Sequence, residues 1–184
     1  KRLPQKNILD LGGKPLIAWT IEAAKNVKYF DEIMVSTDDK KIAEISRDYG
    51  SKIPFLRPDY LATDTVKTVD VVIDIIKYYR EELNQVFDVI VVLQPTSPLR
   101  DNKDIDNAIE LFIGKKANAV ISVCEAEHSP MWSNTLPKNL SMNNFLKDEI
   151  INVRSQDLET FYRLNGAVYI VRTDILLNEQ RFLY

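Results

Sequence analysis

Short β-branched runs separated by stretches of helical periodicity constrain this chain most, because that alternation builds an α/β domain around a largely parallel sheet. The runs at 32–37 (EIMVST), 86–93 (VFDVIVVL), 119–124 (AVISVC) and 166–171 (GAVYIV) read as strands. Their continuous apolar character predicts burial on both faces. Between them, Val69, Val72, Ile73 and Ile76 recur at helical spacing, as do Ile105, Ala108, Ile109 and Phe112. Ile42, Ile45, Ser46 and Tyr49 mark a shorter amphipathic helix, and a further helix is expected from about Pro15 to Phe30. Asp38, Asp39 and Asp101 stand where carboxylates favour helix N-termini.

The segment 125–163 breaks this rhythm, with Ser129-Pro130, Leu136-Pro137 and several asparagines but no clean period. It reads as an excursion from the core. Its Met131, Trp132, Leu136, Leu140 and Phe145 predict packing against another surface, a second subunit being the natural one; a long surface loop is the alternative. At 184 residues the chain reads as one domain. It starts at Lys1 without a methionine and stops just after an apolar stretch, so both ends are expected to be missing.

Composition removes several kinds of chemistry. With 24 Lys+Arg against 27 Asp+Glu, the net charge of -3 is too balanced for a protein that holds nucleic acid by counterion release. Cys124 alone forms no intrachain disulfide and no CxxC site, which makes the cytoplasm the default location. His128 alone builds no multi-histidine metal centre; both residues read as packing or turn positions. Five glycines, at 12, 13, 50, 114 and 166, spell neither GxGxxG nor a Walker P-loop. No apolar run reaches the roughly 18 residues that a membrane span needs.

Five clusters remain that can carry chemistry. The basic loop Lys1-Arg2-Leu3-Pro4-Gln5-Lys6-Asn7 offers charge for a polyphosphate, or is simply a solvated terminus. Val35-Ser36-Thr37-Asp38 ends a strand in hydroxyls and a carboxylate, where ligands of open α/β sheets gather, although Asp38 also suits a helix cap. Arg57, in the loop Leu56-Arg57-Pro58-Asp59, can read a base carbonyl or a phosphate, or form a surface ion pair. Gln94-Pro95-Thr96-Ser97-Pro98-Leu99-Arg100 follows a strand directly. Its two prolines stiffen a rim on which an amide, two hydroxyls and the Arg100 guanidinium suit a hydroxylated anion. Arg163, Asn165 and Tyr169 precede or enter the last strand, and Arg163 can hold a carboxylate in fork geometry.

In order, LPxKN, STD, RPxxLAxD, LQPTSPLR and RxNGAxY resemble the acylneuraminate cytidylyltransferases, the CMP-sialic acid synthetases and their relatives for bacterial nonulosonic acids. The resemblance covers nearly the whole chain. It implies a Rossmann-like three-layer α/β/α nucleotidyltransferase domain with a mostly parallel sheet and 125–163 as its dimerisation excursion. It further implies a homodimer that transfers CMP from CTP to the 2-hydroxyl of a nine-carbon, sialic-acid-like sugar acid and releases pyrophosphate. Carried over by motif, Arg2 and Lys6 would lie against the CTP phosphates as catalytic groups. Asn7 and Arg57 would recognise cytosine or ribose, with Thr68 near the nucleotide. Gln94, Arg154, Arg163, Asn165 and Tyr169 would line the sugar side, Arg154 with its spacing one residue off.

Trp132 departs from the pattern, since the sialic acid enzymes carry a lysine there; a di-N-acetylated sugar such as legionaminic acid suits an aromatic wall. Two family features are missing: an apolar strand before the Lys1 position and a DxDxxxD motif for Mg2+, expected beyond Tyr184. A non-catalytic module without the metal carboxylates, or a cytidylyltransferase for an eight-carbon 3-deoxy sugar acid, are the alternatives.

Overall fold

The computed structural model describes residues 3–183. Arg2 lies outside the described residues. The chain divides into two compact units, one running to Ser122 and resuming at Gly166, the other comprising Val123–Asn165.

In the first unit, helix α1 (Leu16–Lys25) begins at Pro15, whose fixed φ suits a helix entry. Helix α2 (Lys40–Asp48) starts where Asp39 accepts hydrogen bonds from the amides of Lys41 and Ile42. Helix α3 spans Thr68–Glu82 and buries Val69, Val72, Ile76 and Tyr79. Helix α4 (Asn102–Gly114) opens with a reciprocal capping box between Asp101 and Asp104 and buries Ile105, Ile109 and Phe112, the expected stripe. A short helix α5, Thr173–Glu179, follows the last strand directly.

Strands β1 (Val89–Val92), β2 (Ala119–Glu125) and β3 (Tyr162–Arg172) form a sheet in the order β1-β3-β2. The pairing departs from the mostly parallel sheet expected above. β3 runs antiparallel to β1, with Val89 opposite Arg172 and Val92 opposite Tyr169. It opposes β2 as well, since Arg172 N donates to Asn118 O while Ala126 N donates to Phe161 O. The reason lies in the connection. A parallel return requires a crossover over one face of the sheet, whereas the chain between β2 and β3 carries no crossover helix. Among the described residues the run at 32–37 belongs to no strand, and Met34 alone in it forms an isolated parallel bridge, with Lys52.

β3 supplies both halves of the core. Val168 and Ile170 pack with Val27, Ile105, Ile109 and Phe112, whereas Val171, on the opposite face, packs with Val69, Val72, Ile76 and Leu176. β1 is the outer strand on its side of the sheet. Beside it opens a cavity of about 410 Å3, lined on one side by 31–36 and on the other by 89–95. Ile17 and Ile21 of α1 and Val72 and Ile76 of α3 also line it, so its body is apolar. No helix among the described residues is long and apolar enough to cross a membrane.

The second unit is built mostly from irregular chain, with 3-10 turns at Pro130–Trp132, Asp148–Ile150 and Ser155–Asp157. Leu136, Leu140, Met142 and Ile151 are exposed in it, Leu140 to 71%.

Candidate active site

Three residues singled out by sequence border this cavity. Arg57, Thr68 and Gln94 line it, with Ser36. Arg57 is fixed rather than mobile: Nε donates to Ser36 Oγ at 3.0 Å, Nη2 donates to the Ser36 carbonyl, and its own amide donates to Thr37 O. Burial lowers the guanidinium pKa, and nearby Asp38 opposes that shift; an arginine remains charged regardless. The result is a half-buried cation at the end of the extended run 32–37. Thr68 is the first residue of α3, exposed at the helix N-terminus.

Gln94 follows β1 and is half-buried. Its carbonyl accepts from Ser97 N at 3.3 Å, which closes the turn between Pro95 and Pro98. Its side chain rests on Gly166, whose φ of +74° only glycine adopts without cost. Arg100 corrects the expected polar rim. It is 6% exposed, and its guanidinium turns inward to the carbonyls of Gln94 and Ala167 and to Thr20 Oγ1. Burial accordingly lowers its pKa.

Lys6 and Asn7 lie in the 3-10 turn Lys6–Ile8, entered through Gln5 in a left-handed conformation. Lys6 is exposed. Asn7 is half-buried, and its Oδ1 is enclosed without a hydrogen-bond partner, an orientation that a ligand donor would satisfy. Tyr169 packs its ring against Phe182 with centroids 5.5 Å apart. Arg154, Arg163 and Asn165 belong to the second unit. There Arg154 grips Asp157 through two hydrogen bonds, of 2.8 and 3.3 Å, and Arg163 stands 3.8 Å from Glu127 in an exposed pair. Trp132 is exposed as well.

Among the described residues no group of three or more His, Cys, Asp or Glu is placed to hold a metal ion. The residues present therefore do not form a Mg2+ site by themselves, and no step is assigned to one. Sequence reasoning singled out Ser36 but missed it as the anchor of Arg57, and it missed Thr20 and the inward role of Arg100. Only the placement of Arg100 one residue before a helix-capping aspartate hinted that its side chain would turn back into the fold.

Residues 1–184 match the family described as Cytidylyltransferase. The chain is 38% identical over 190 residues to the CMP-N,N'-diacetyllegionaminic acid synthase of Legionella pneumophila, covering 99% of this chain and 77% of that one. It is 35% identical over 179 residues to a pseudaminic acid cytidylyltransferase of Campylobacter jejuni, covering 97% of this chain and 76% of that one. In fold it resembles a solved CMP:2-keto-3-deoxy-manno-octonic acid synthetase complexed with CTP, with a TM-score of 0.69 at 19% identity over 99% of this chain and 73% of that one. The chain belongs to the cytidylyltransferase family, in the branch of the CMP-nonulosonic acid synthetases.

Proposed function

We propose that this protein transfers CMP from CTP to the 2-hydroxyl of a nonulosonic, sialic-acid-like sugar acid and releases pyrophosphate. The observation that carries this reading is the placement of Ser36-anchored Arg57, Thr68 and Gln94 along one cavity between the segments 31–36 and 89–95. Relatives named for making CMP-legionaminic acid and for pseudaminic acid cytidylyl transfer supply the substrate class.

In the reaction the sugar 2-hydroxyl oxygen attacks the α-phosphorus of CTP and its proton passes to solvent, the bond from the α-phosphorus to the α,β-bridging oxygen breaks, and pyrophosphate leaves with the electron pair. Arg57 and Asn7 hold the nucleoside, and the unpartnered Asn7 Oδ1 supports the role of accepting a base or ribose hydrogen. Lys6 and Arg2 offset phosphate charge. Gln94, Arg154, Arg163, Asn165 and Tyr169 take the sugar acid, Arg163 pairing with its carboxylate in place of the exposed contact to Glu127. Mg2+ is the proposed cofactor, and when bound it would supply charge to offset the pyrophosphate.

A di-N-acetylated acceptor is the proposed sugar, on the strength of Trp132 and of the diacetyllegionaminic relative. The finer arrangement proposed is the Rossmann-like three-layer α/β/α one; helix α4 packed against one face of β3 and helices α3 and α5 against the other support it. The apolar side chains exposed in Val123–Asn165 support a homodimer, and the single cysteine a cytoplasmic setting.

The test is pyrophosphate release from CTP by the full-length enzyme with Mg2+ and a panel of nonulosonic acids, the eight-carbon 3-deoxy sugar acid serving as control. Turnover with a nine-carbon acid is expected, fastest with a di-N-acetylated one. Turnover with the eight-carbon acid alone, or with none, overturns the reading.

A further inference from the structure

A buried arginine normally meets a carboxylate, because an unpaired charge inside a protein is costly. Among the described residues Arg100 meets none at hydrogen-bond distance. Its Nη1 donates to Gln94 O at 3.2 Å and to Ala167 O at 2.7 Å, and its Nη2 donates to Thr20 Oγ1 at 2.8 Å. Nε is enclosed without a partner. Three neutral acceptors from three separate elements thus converge on one rigid fork, and a fork of fixed geometry sets distances in a way that a flexible ammonium does not.

The acceptors are not random. Gln94 and Gly166 are in direct contact, since a Cβ at 166 would stand 2.7 Å from Gln94 Oε1. Arg100 Nη1 therefore bridges the main chain on both sides of that contact, at Gln94 itself and at the residue after Gly166. Nη2 ties the pair to α1 through Thr20, which lines the same cavity mouth system as Gln94. We propose that Arg100 is a positioning residue that locks the Gln94 amide against Gly166 and so presents it to the sugar acid. This rests on the reading that Gln94 faces the sugar.

The test uses the full-length enzyme with separate titrations of sugar acid and CTP. Arg100→Met removes every donor, and the sugar KM should rise about tenfold, the factor one charge-assisted hydrogen bond supplies, while the CTP KM stays within about twofold. Arg100→Lys should restore part of the sugar KM. In a Gln94→Ala background, Arg100→Lys should change the sugar KM by less than about twofold, because the group it positions is gone. Equal rises in both KM values, or an undiminished effect of Arg100→Lys without the Gln94 amide, overturn the proposal. Should Arg100→Met not fold, Thr20→Val removes one anchor alone: a selective rise in sugar KM supports positioning, and an unchanged sugar KM overturns it. Failure of the wild-type enzyme to turn over any nonulosonic acid strikes the proposed function instead, so the two failures are distinct.

Discussion

The side-chain amide of Gln94 occupies the space that a side chain at Gly166 would need: a Cβ there would stand 2.7 Å from Gln94 Oε1 and 3.3 Å from its Cδ. Gly166 also has φ +74°, in the left-handed region. Gly166→Ala should therefore cost about 1–3 kcal/mol of stability and displace the Gln94 amide. Thermal unfolding should show the loss, and sugar titration should show a raised KM with the CTP KM unchanged. A wild-type sugar KM in the variant would remove Gln94 from the sugar side.

Arg57 binds Ser36 twice, through the hydroxyl and the carbonyl. Arg57→Lys keeps the charge and loses the fork, so CTP affinity should fall by about tenfold, roughly one charge-assisted hydrogen bond, with the sugar KM unaffected. Isothermal titration with CTP measures it.

Arg163 meets Glu127 at 3.8 Å with both side chains exposed, a pair that adds little stability. Arg163→Ala should leave the melting temperature nearly unchanged while kcat/KM for the sugar acid falls by about 2–3 kcal/mol in transition-state terms. Unchanged sugar kinetics would take Arg163 out of the site.

Tyr79 donates to Glu32 Oε1 at 3.0 Å, and Glu32 also pairs with Lys52 at 2.6 Å. Burial, then the Glu32 hydrogen bond and charge, push the phenol pKa above its ordinary 10.0. The folded protein thus keeps this proton after the unfolded chain has lost it. The stabilisation is complete below pH 10 and shrinks as pH rises beyond it. Denaturant unfolding of wild type and Tyr79→Phe from pH 8 to 11 should show wild type ahead at the lower end and its lead narrowing above pH 10. A constant difference would show that the phenol titrates normally.

Asp101 and Asp104 cap α4 reciprocally. Asp101→Ala should cost about 0.5–2 kcal/mol, and Asp101→Asn should recover most of it, as urea unfolding would report. Since Arg100 immediately precedes this cap, loss of sugar affinity in Asp101→Ala with retention in Asp101→Asn is also expected.

Helices were the most legible part of the sequence, because their signals are local. Asp39 and Asp101 mark two starts, and every apolar position read at helical spacing in α4 is buried or partly buried. Strand existence was legible for 86–93, 119–124 and 166–171, but not direction. An apolar run specifies burial, whereas parallel or antiparallel pairing follows from what the connecting chain does. The excursion after β2 carries no crossover helix, and β3 returns antiparallel. α5 is short and follows β3 without a loop, so it offered no separate period. At the site, Arg57 and Gln94 stood out from residue type and from their loops, Gln94 directly after a strand, whereas Thr68 came from the family motif alone; the structure places all three along one cavity. Arg100 was misread as part of the rim because composition does not say which way a guanidinium points; two prolines fold its loop back and send it under the chain instead.

The outer edge of β1 borders the 410 Å3 cavity rather than another described strand. A row of strand amides and carbonyls flanked by Val89, Ile90, Val91 and Val92 is a template for intermolecular pairing. The protein should therefore self-associate through this edge as its concentration rises, and Val89→Lys, at the exposed end of the strand, should suppress that association. The groove beside β1 is thus also an aggregation hazard.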